Sequence, residues 1–392
     1  MTKVAFFDTW SRGTKFTDNV ALELKIKGID TVFLHFDSKY NDQCTEANEC
    51  YSAVYDLSSF GQSVTKALLS IQPDVIVLIS MHGLTHRWVN YIAEILEIPV
   101  VFLPHGVRLA EVETNRQKLS KLLWVKKSLS RGSFYLSEWF LVFIDLLKSR
   151  YSIPCVVLKS FFEFFVHNSR FSNRPRYKWG LNFRVIFLNI EEDRGYFADF
   201  IGGLSSRKTK YIVCGHQESL NALGGLKINN NTDNALFISQ PMVSWGVIGS
   251  DEWLKILNKV ITLLKHRFSS VSVRLHPRDD ASNIKLYESL GLRISKRDLS
   301  EDILGNSFFF GFNSALLIGL MQAGATTVSI ESDSLPKFPE VKNMLNFVQV
   351  NIDDLDNFLI SEFFYFGRES FSIKKNHNNL IINGILEQAL RS

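Results

Sequence analysis

Ser307-Phe-Phe-Phe-Gly311, Phe312-Asn-Ser314, Ala315-Leu-Leu-Ile-Gly-Leu-Met-Gln-Ala323 and, after Gly324-Ala325, Thr326-Thr-Val-Ser-Ile330 follow one another without a break. The first piece is a continuous apolar run of strand length. The second is a Gly-bounded turn ending on Ser, a residue that opens helices. The third reads as an apolar helix and the fourth as a β-branched strand. Strands that are apolar on both faces and joined through a helix are parallel strands covered on both sides. This stretch therefore predicts one strand–helix–strand unit of a doubly wound sheet.

The same pattern extends in both directions. Towards the N-terminus of this unit, strands are expected at Ala235–Ser239 and Val271–Leu275, with helices at Asp251–His266 and Ser282–Leu290. The first hundred residues alternate likewise, with strands at Lys3–Phe7, Thr31–Phe36, Pro73–Ile79 and Pro99–Leu103, and helices at Ser63–Ile71 and Trp88–Leu96. Phe183–Leu188 and Tyr211–Cys214 continue that half around a helix near Tyr196–Gly202, and Asn378–Leu390 closes the chain as a helix. The Asn-rich stretch from Asn229 to Asn234 reads as a linker. The fold class expected is α/β, with two Rossmann-type domains facing a cleft. They cover 1–228 and 233–375, and a C-terminal helix spans 376–392.

Composition bounds the rest. The chain has 392 residues, enough for two domains, and 46% hydrophobic against 21% charged residues marks it as globular. A net charge of +4 gives no argument for nucleic acid. Cys44, Cys50, Cys155 and Cys214 lack any paired spacing and read as reduced thiols. Lys3–Phe7 opens as a strand, so no secretory signal is expected, and no apolar run reaches the roughly 18 residues a spanning helix needs. A cytoplasmic protein is the expectation.

Residues 114–178 break the pattern. Thirteen Lys and Arg stand there against Glu138, Asp145 and Glu163, a balance of +10 within a chain of +4. Trp124, Phe134, Tyr135, Trp139, Phe140, Phe143, Phe161, Phe162, Phe164 and Phe165 lie among them. Basic residues beside aromatic-rich amphipathic helices are what a peripheral element on an anionic membrane requires. The same aromatics also suit the core of a helical subdomain. Either way, the segment reads as a basic helical insertion in the first domain.

The chemistry concentrates at strand ends. Val271–Leu275 runs into His276-Pro277-Arg278, where a His can donate to a phosphate oxygen and Pro277 fixes the turn. Arg274 adds positive charge, unless strand alternation turns it away. Gly311, Asn313 and Ser314 stand where a helix begins, and outward-pointing N–H groups there form an anion site. Ser314 also suits a plain N-cap.

The run Ala235-Leu-Phe-Ile-Ser-Gln-Pro241, with Gln240, then Arg274-Leu-His-Pro277 and Gly311-Phe-Asn-Ser314, resembles bacterial sialyltransferases and polysialyltransferases of the GT-B type and related capsule and lipooligosaccharide enzymes. The resemblance covers residues 233–330. It implies a nucleotide-sugar site in which His276, Asn313 and Ser314 contact the phosphate of a CMP-sugar, and transfer to a bacterial glycan or glycolipid acceptor; the basic segment 114–178 would place that transfer at the inner face of a bacterial inner membrane. Such relatives often carry an acidic pair before a Gly just after Gln-Pro. This chain has Ser244-Trp245-Gly246, and Asp251 and Glu252 read as first-turn acids of a helix.

A catalytic base is therefore sought at strand ends of the first domain. Asp8 follows the first strand. His105 follows Val100–Leu103 in Pro104-His105-Gly106 and titrates near neutrality, which makes it the preferred candidate. Glu111, Glu113 and Arg116 could touch acceptor, or form a solvated helix face. Cys214-Gly215-His216-Gln217 could line the site or simply turn the chain. With no Asp-x-Asp motif at a strand end, neither metal nor cofactor is expected. A CDP-polyol phosphotransferase, a sugar-nucleotide epimerase and a non-catalytic nucleotide- or glycan-binding protein remain open.

Overall fold

The computed structural model describes residues 2–8, 14–36, 49–81, 84–104, 138, 140–148, 181–201, 209–216, 233–244, 247–276, 279, 281–335, 337, 347–361 and 377–390. These fall into two compact units. The first takes the chain through residue 104, then 138–214 where described, and 377–390; the second takes 215–216 and 233–361.

The first unit holds seven strands: β1 (Lys3–Asp8), β2 (Asp30–His35), β3 (Ala53–Asp56), β4 (Val75–Leu78), β5 (Val100–Phe102), β6 (Val185–Leu188) and β7 (Lys210–Val213). All pairs are parallel, in the order β3-β2-β1-β4-β5-β6-β7. Chain direction across the sheet reverses between β1 and β4, so their carboxyl ends flank its switch point. Helices α1 (Thr14–Ile26), α2 (Val64–Ile71) and α3 (Leu84–Ile95) connect the first strands. A further helix, α4, is described at 138 and 140–148, and α5 covers Asp193–Ile201.

Each face of this sheet has its own core. Ala5, Phe7, Leu34, Ile76 and Leu78 pack with α2, α3 and Leu141, Val142 and Leu146 of α4. Val4, Phe6, Phe33, Val75, Val77, Val185 and Phe187 pack on the other side, against Ile381, Ile382 and Ile385 of the final helix. The expected separate C-terminal element is thus part of the first unit.

The second unit holds β8 (Asn234–Ile238), β9 (Ser270–Arg274), β10 (Arg293–Ile294), β11 (Phe308–Gly311), β12 (Thr326–Glu331) and β13 (Phe347–Asn351). They are parallel in the order β10-β9-β8-β11-β12-β13, with the switch point between β8 and β11. Helix α6 (Ser250–Arg267) shows why such a segment folds as it does. Trp253, Leu257, Val260, Ile261 and Leu264 form its buried stripe, while Asp251 and Glu252 begin it and Lys265, His266 and Arg267 end it, matching the helix dipole. Helices α7 (Ala281–Ser289), α8 (Leu299–Gly305), α9 (Ala315–Gln322) and α10 (Leu355–Ser361) follow, and α11 (His377–Ala389) is the helix on the first sheet.

The two-sheet α/β expectation is met. The strands it did not name, β3, β10 and β13, are outermost in their sheets and carry mixed burial, so none presents a continuous apolar run. Among the described residues no helix is long and apolar enough to cross a membrane.

Candidate functional site

At the second switch point, β11 runs so close to β8 that a Cβ on Gly311 would meet the Ile238 carbonyl oxygen at 2.8 Å. Only glycine fits there. Phe312 then turns into the core, edge-on to Phe237 and beside Trp253, which anchors the turn. Asn313 and Ser314 follow at the head of α9 and are buried. Ser314 occupies the N-cap position with extended backbone (φ −88°, ψ 128°), yet its hydroxyl makes no capping hydrogen bond. Capping by its side chain is therefore not what the Ser supplies. Gln240, also buried, follows β8, and its carbonyl accepts from the Met242 amide.

His276 lies just beyond β9, the neighbour of β8. Its backbone N–H donates to Ser239 Oγ (2.9 Å) and to Asp279 Oδ2 (2.7 Å). Ser239 Oγ also donates to Asp279, and Asn283 Nδ2 donates to Asp279 Oδ1 at 2.8 Å. Asp279 thus ties the ends of β8 and β9 to the first turn of α7. Burial pushes the Tyr287 hydroxyl well above its usual range, and the Asp279 charge adds to the shift. Pro277 lies outside the described residues. Arg274 faces elsewhere: its guanidinium pairs with Asp302 Oδ2 at 2.7 Å and donates to the Arg297 carbonyl at 3.1 Å. It is committed to joining β9 to α8.

In the first unit, Asp8 ends β1 at the other switch point. Its Oδ1 lies 3.1 Å from His86 Nε2, contributed by the first turn of α3 beyond β4. The His86 ring packs edge-on to Phe7. The Asp8 side chain is 11% exposed and that of His86 only 3%, so the carboxylate is the more accessible member. Glu138 reaches the same helix start, accepting from the Thr85 amide at 3.1 Å. Burial holds its carboxyl above the ordinary value of 4.5, opposed by the nearby His86 and the Thr85 amide. Glu138 Oε2 and His86 Nδ1 are both buried without a hydrogen-bond partner.

His105 lies outside the described residues, as do Glu111, Glu113, Arg116, Trp245, Gly246 and Gln217. Ser244 donates to the Pro241 carbonyl at 3.1 Å. Glu252 accepts from Ser334 Oγ as well as opening α6. The His216 amide donates to Gln322 Oε1 at 2.8 Å, fastening that loop to α9. Cys214 is buried, outside any disulfide, and its thiol donates to the Leu188 carbonyl at 3.5 Å. No group of three or more His, Cys, Asp or Glu side chains able to hold a metal ion occurs among the described residues.

The sequence reading missed His86, Ser239 and Asp279. Strand order would have exposed the first two, since residues just beyond the carboxyl ends of adjacent parallel strands are neighbours: β1 with β4 for His86, β8 with β9 for Ser239. Asp279 had only its position after Pro277 to mark it.

No known family matches the chain, and no curated protein does. Among solved structures it is similar to UDP-N-acetylglucosamine 2-epimerase from Rickettsia bellii, with 12% identity, TM-score 0.52, and 100% of this chain and 96% of that one covered. It is similar to UDP-GlcNAc 2-epimerase from Neisseria meningitidis bound to UDP-GlcNAc, with 14% identity, TM-score 0.51, and 99% and 100% covered. Anabaena Alr3699/HepE in complex with UDP-glucose aligns at 12% identity and TM-score 0.50, with 100% and 99% covered. These likenesses establish the two-Rossmann GT-B fold.

Proposed function

We propose that the protein transfers a nonulosonate-type sugar (sialic acid, Kdo or a relative) from a CMP-sugar to a bacterial surface glycan or glycolipid. It does so at the cytoplasmic face of the inner membrane and without a metal ion. The observation that carries the reading is the second switch point. There, Gly311, Asn313 and the uncommitted N-cap of Ser314 follow β11, while the His276 loop, fastened by Asp279, follows β9 on the other side of β8. Ligands of open α/β sheets bind at such points. The α9 N-terminus and His276 would meet the phosphate, stabilising charge as CMP leaves.

His105 and Asp8, both at strand ends of the first domain, are the candidate bases in this reading, and Asp8 is the one whose surroundings are described. The acceptor hydroxyl gives its proton to the base while its oxygen bonds to the anomeric carbon. The bond from that carbon to the phosphate oxygen breaks, and its electron pair leaves with CMP. His86 holds Asp8 through Oδ1 and fixes its direction.

A second reading, epimerisation of a UDP-sugar, is favoured by the likeness to two 2-epimerases. Thermal-shift measurements with CMP, CDP, UDP and GDP separate the readings. CMP is expected to stabilise most; stabilisation by UDP alone would sink the transfer of a CMP-sugar. Asp8→Asn should keep the CMP-dependent shift and lose about a hundredfold or more in turnover. Undiminished turnover would remove Asp8 from the mechanism.

A further inference from the structure

Helix α4 is built inside out for a water-facing helix. Glu138 and Asp145, seven residues apart, lie on one face together with Leu141, Val142 and Leu146, and all five are buried. Both acids are fully enclosed. Glu138 accepts from the Thr85 amide at the start of α3. Asp145 accepts from Ser63 Oγ, from the amide and hydroxyl of Thr65 at the start of α2, and from Trp88 Nε1. These bonds fix the helix's rotation about its axis.

The opposite face is thereby forced outward, and it is apolar. Phe140 is 64% exposed, Phe143 54% and Leu147 69%, at the i, i+3, i+7 spacing of one helical stripe. A helix apolar on its outer face as well as its inner one needs a non-aqueous partner. The charge of the surrounding sequence identifies that partner. Of the three acids in 114–178, the two on this helix are turned inward, leaving Glu163 against thirteen Lys and Arg. Six of those cations precede Glu138 in sequence, and seven follow from Lys148 on. Exposed aromatic rings on a helix flanked by cations match the boundary of an anionic bilayer, where rings enter the acyl margin and cations meet phosphate.

We infer that α4 seats the protein on an anionic lipid surface through Phe140, Phe143 and Leu147. This gives a surface to the membrane placement proposed above and rests on that placement, not on the sugar chemistry. The full chain should float with vesicles of phosphatidylcholine plus phosphatidylglycerol, much less with phosphatidylcholine alone, and less again at high salt. Changing Phe140, Phe143 and Leu147 together to Ser should weaken binding about tenfold or more, and Leu147→Ser alone about threefold. Because these side chains are exposed, the circular dichroism, thermal midpoint and nucleotide-dependent shift should stay as in the wild type.

Equal flotation with both vesicle types would overturn the inference, as would unchanged flotation of the triple variant. So would a dimer that the triple substitution dissolves, which would assign the face to a second copy of the chain. Loss of nucleotide binding with flotation retained would count against the transferase reading alone.

Discussion

Asp279 shows how much of the loop that carries His276 rests on a residue outside its motif. Its carboxylate takes the His276 amide and is joined by Ser239 and Asn283, so one side chain positions His276. Asp279→Ala should cost about 2 kcal/mol in stability, since the buried partners lose a charged acceptor. It should also reduce the nucleotide-dependent thermal shift. A full shift at lowered stability would show the loop to be positioned by other means. Glu138 provides a pH test. Burial raises its folded-state value above 4.5, so the folded chain holds this proton at pH values where the unfolded chain has released it. Its contribution is therefore complete below the unfolded value and is lost as pH rises through the folded one. Glu138→Gln cannot ionise, so its stability relative to wild type should rise as pH increases from about 4 towards neutrality. Paired denaturant melts across that range check it; a constant difference would mean Glu138 does not titrate there.

At the scale of elements, sequence pattern was a good guide where burial repeated along one segment. β4, β6 and β8 announce themselves as apolar runs, and α6 carries its stripe and both charge signals. α4 was harder. Its apolar residues circle the helix, and only the structure shows that the acids point inward. Asp145 is the element's main fastening, accepting four hydrogen bonds from α2, its N-cap and α3. Asp145→Ala should cost about 3 kcal/mol, because the donors at the start of α2 and the Trp88 indole of α3 lose a charged acceptor. Amide exchange should then quicken at the start of α2, where the Thr65 amide loses its acceptor, and unchanged exchange there would refute the fastening role.

Over the whole molecule, the chain's last helix returns to the first sheet. Ile381, Ile382 and Ile385 are fully buried against Val4, Phe6, Val75 and Phe187, and a Cβ on Gly384 would meet the Phe187 ring at 2.8 Å. Lys210 pairs with Glu387 at its rim. Ending the chain after residue 376 uncovers one face of the first sheet. Three buried isoleucines contribute about 6 kcal/mol, comparable with the entire stability of a domain. The first unit should then lose its cooperative denaturant transition, while Ile382→Ala should lower its stability by about 3 kcal/mol. A truncated chain that melts like the full one would exclude this packing.

The amino-acid sequence by itself determined the α/β class, the two sheets and the strand-end positions of Asp8, His276 and Ser314. It could do so because each strand's burial on both faces is written in its own residues. Tertiary structure alone decided which strand ends are neighbours. It set Asp8 against His86 across 78 positions, gave the His276 amide to Asp279, and drew Arg274 away to Asp302. It also turned Glu138 and Asp145 inward, leaving Phe140, Phe143 and Leu147 outside. The physical reason is one of range. Local periodicity records whether a residue is buried, whereas the partner that compensates a buried charge comes from strand order and from contacts between distant segments.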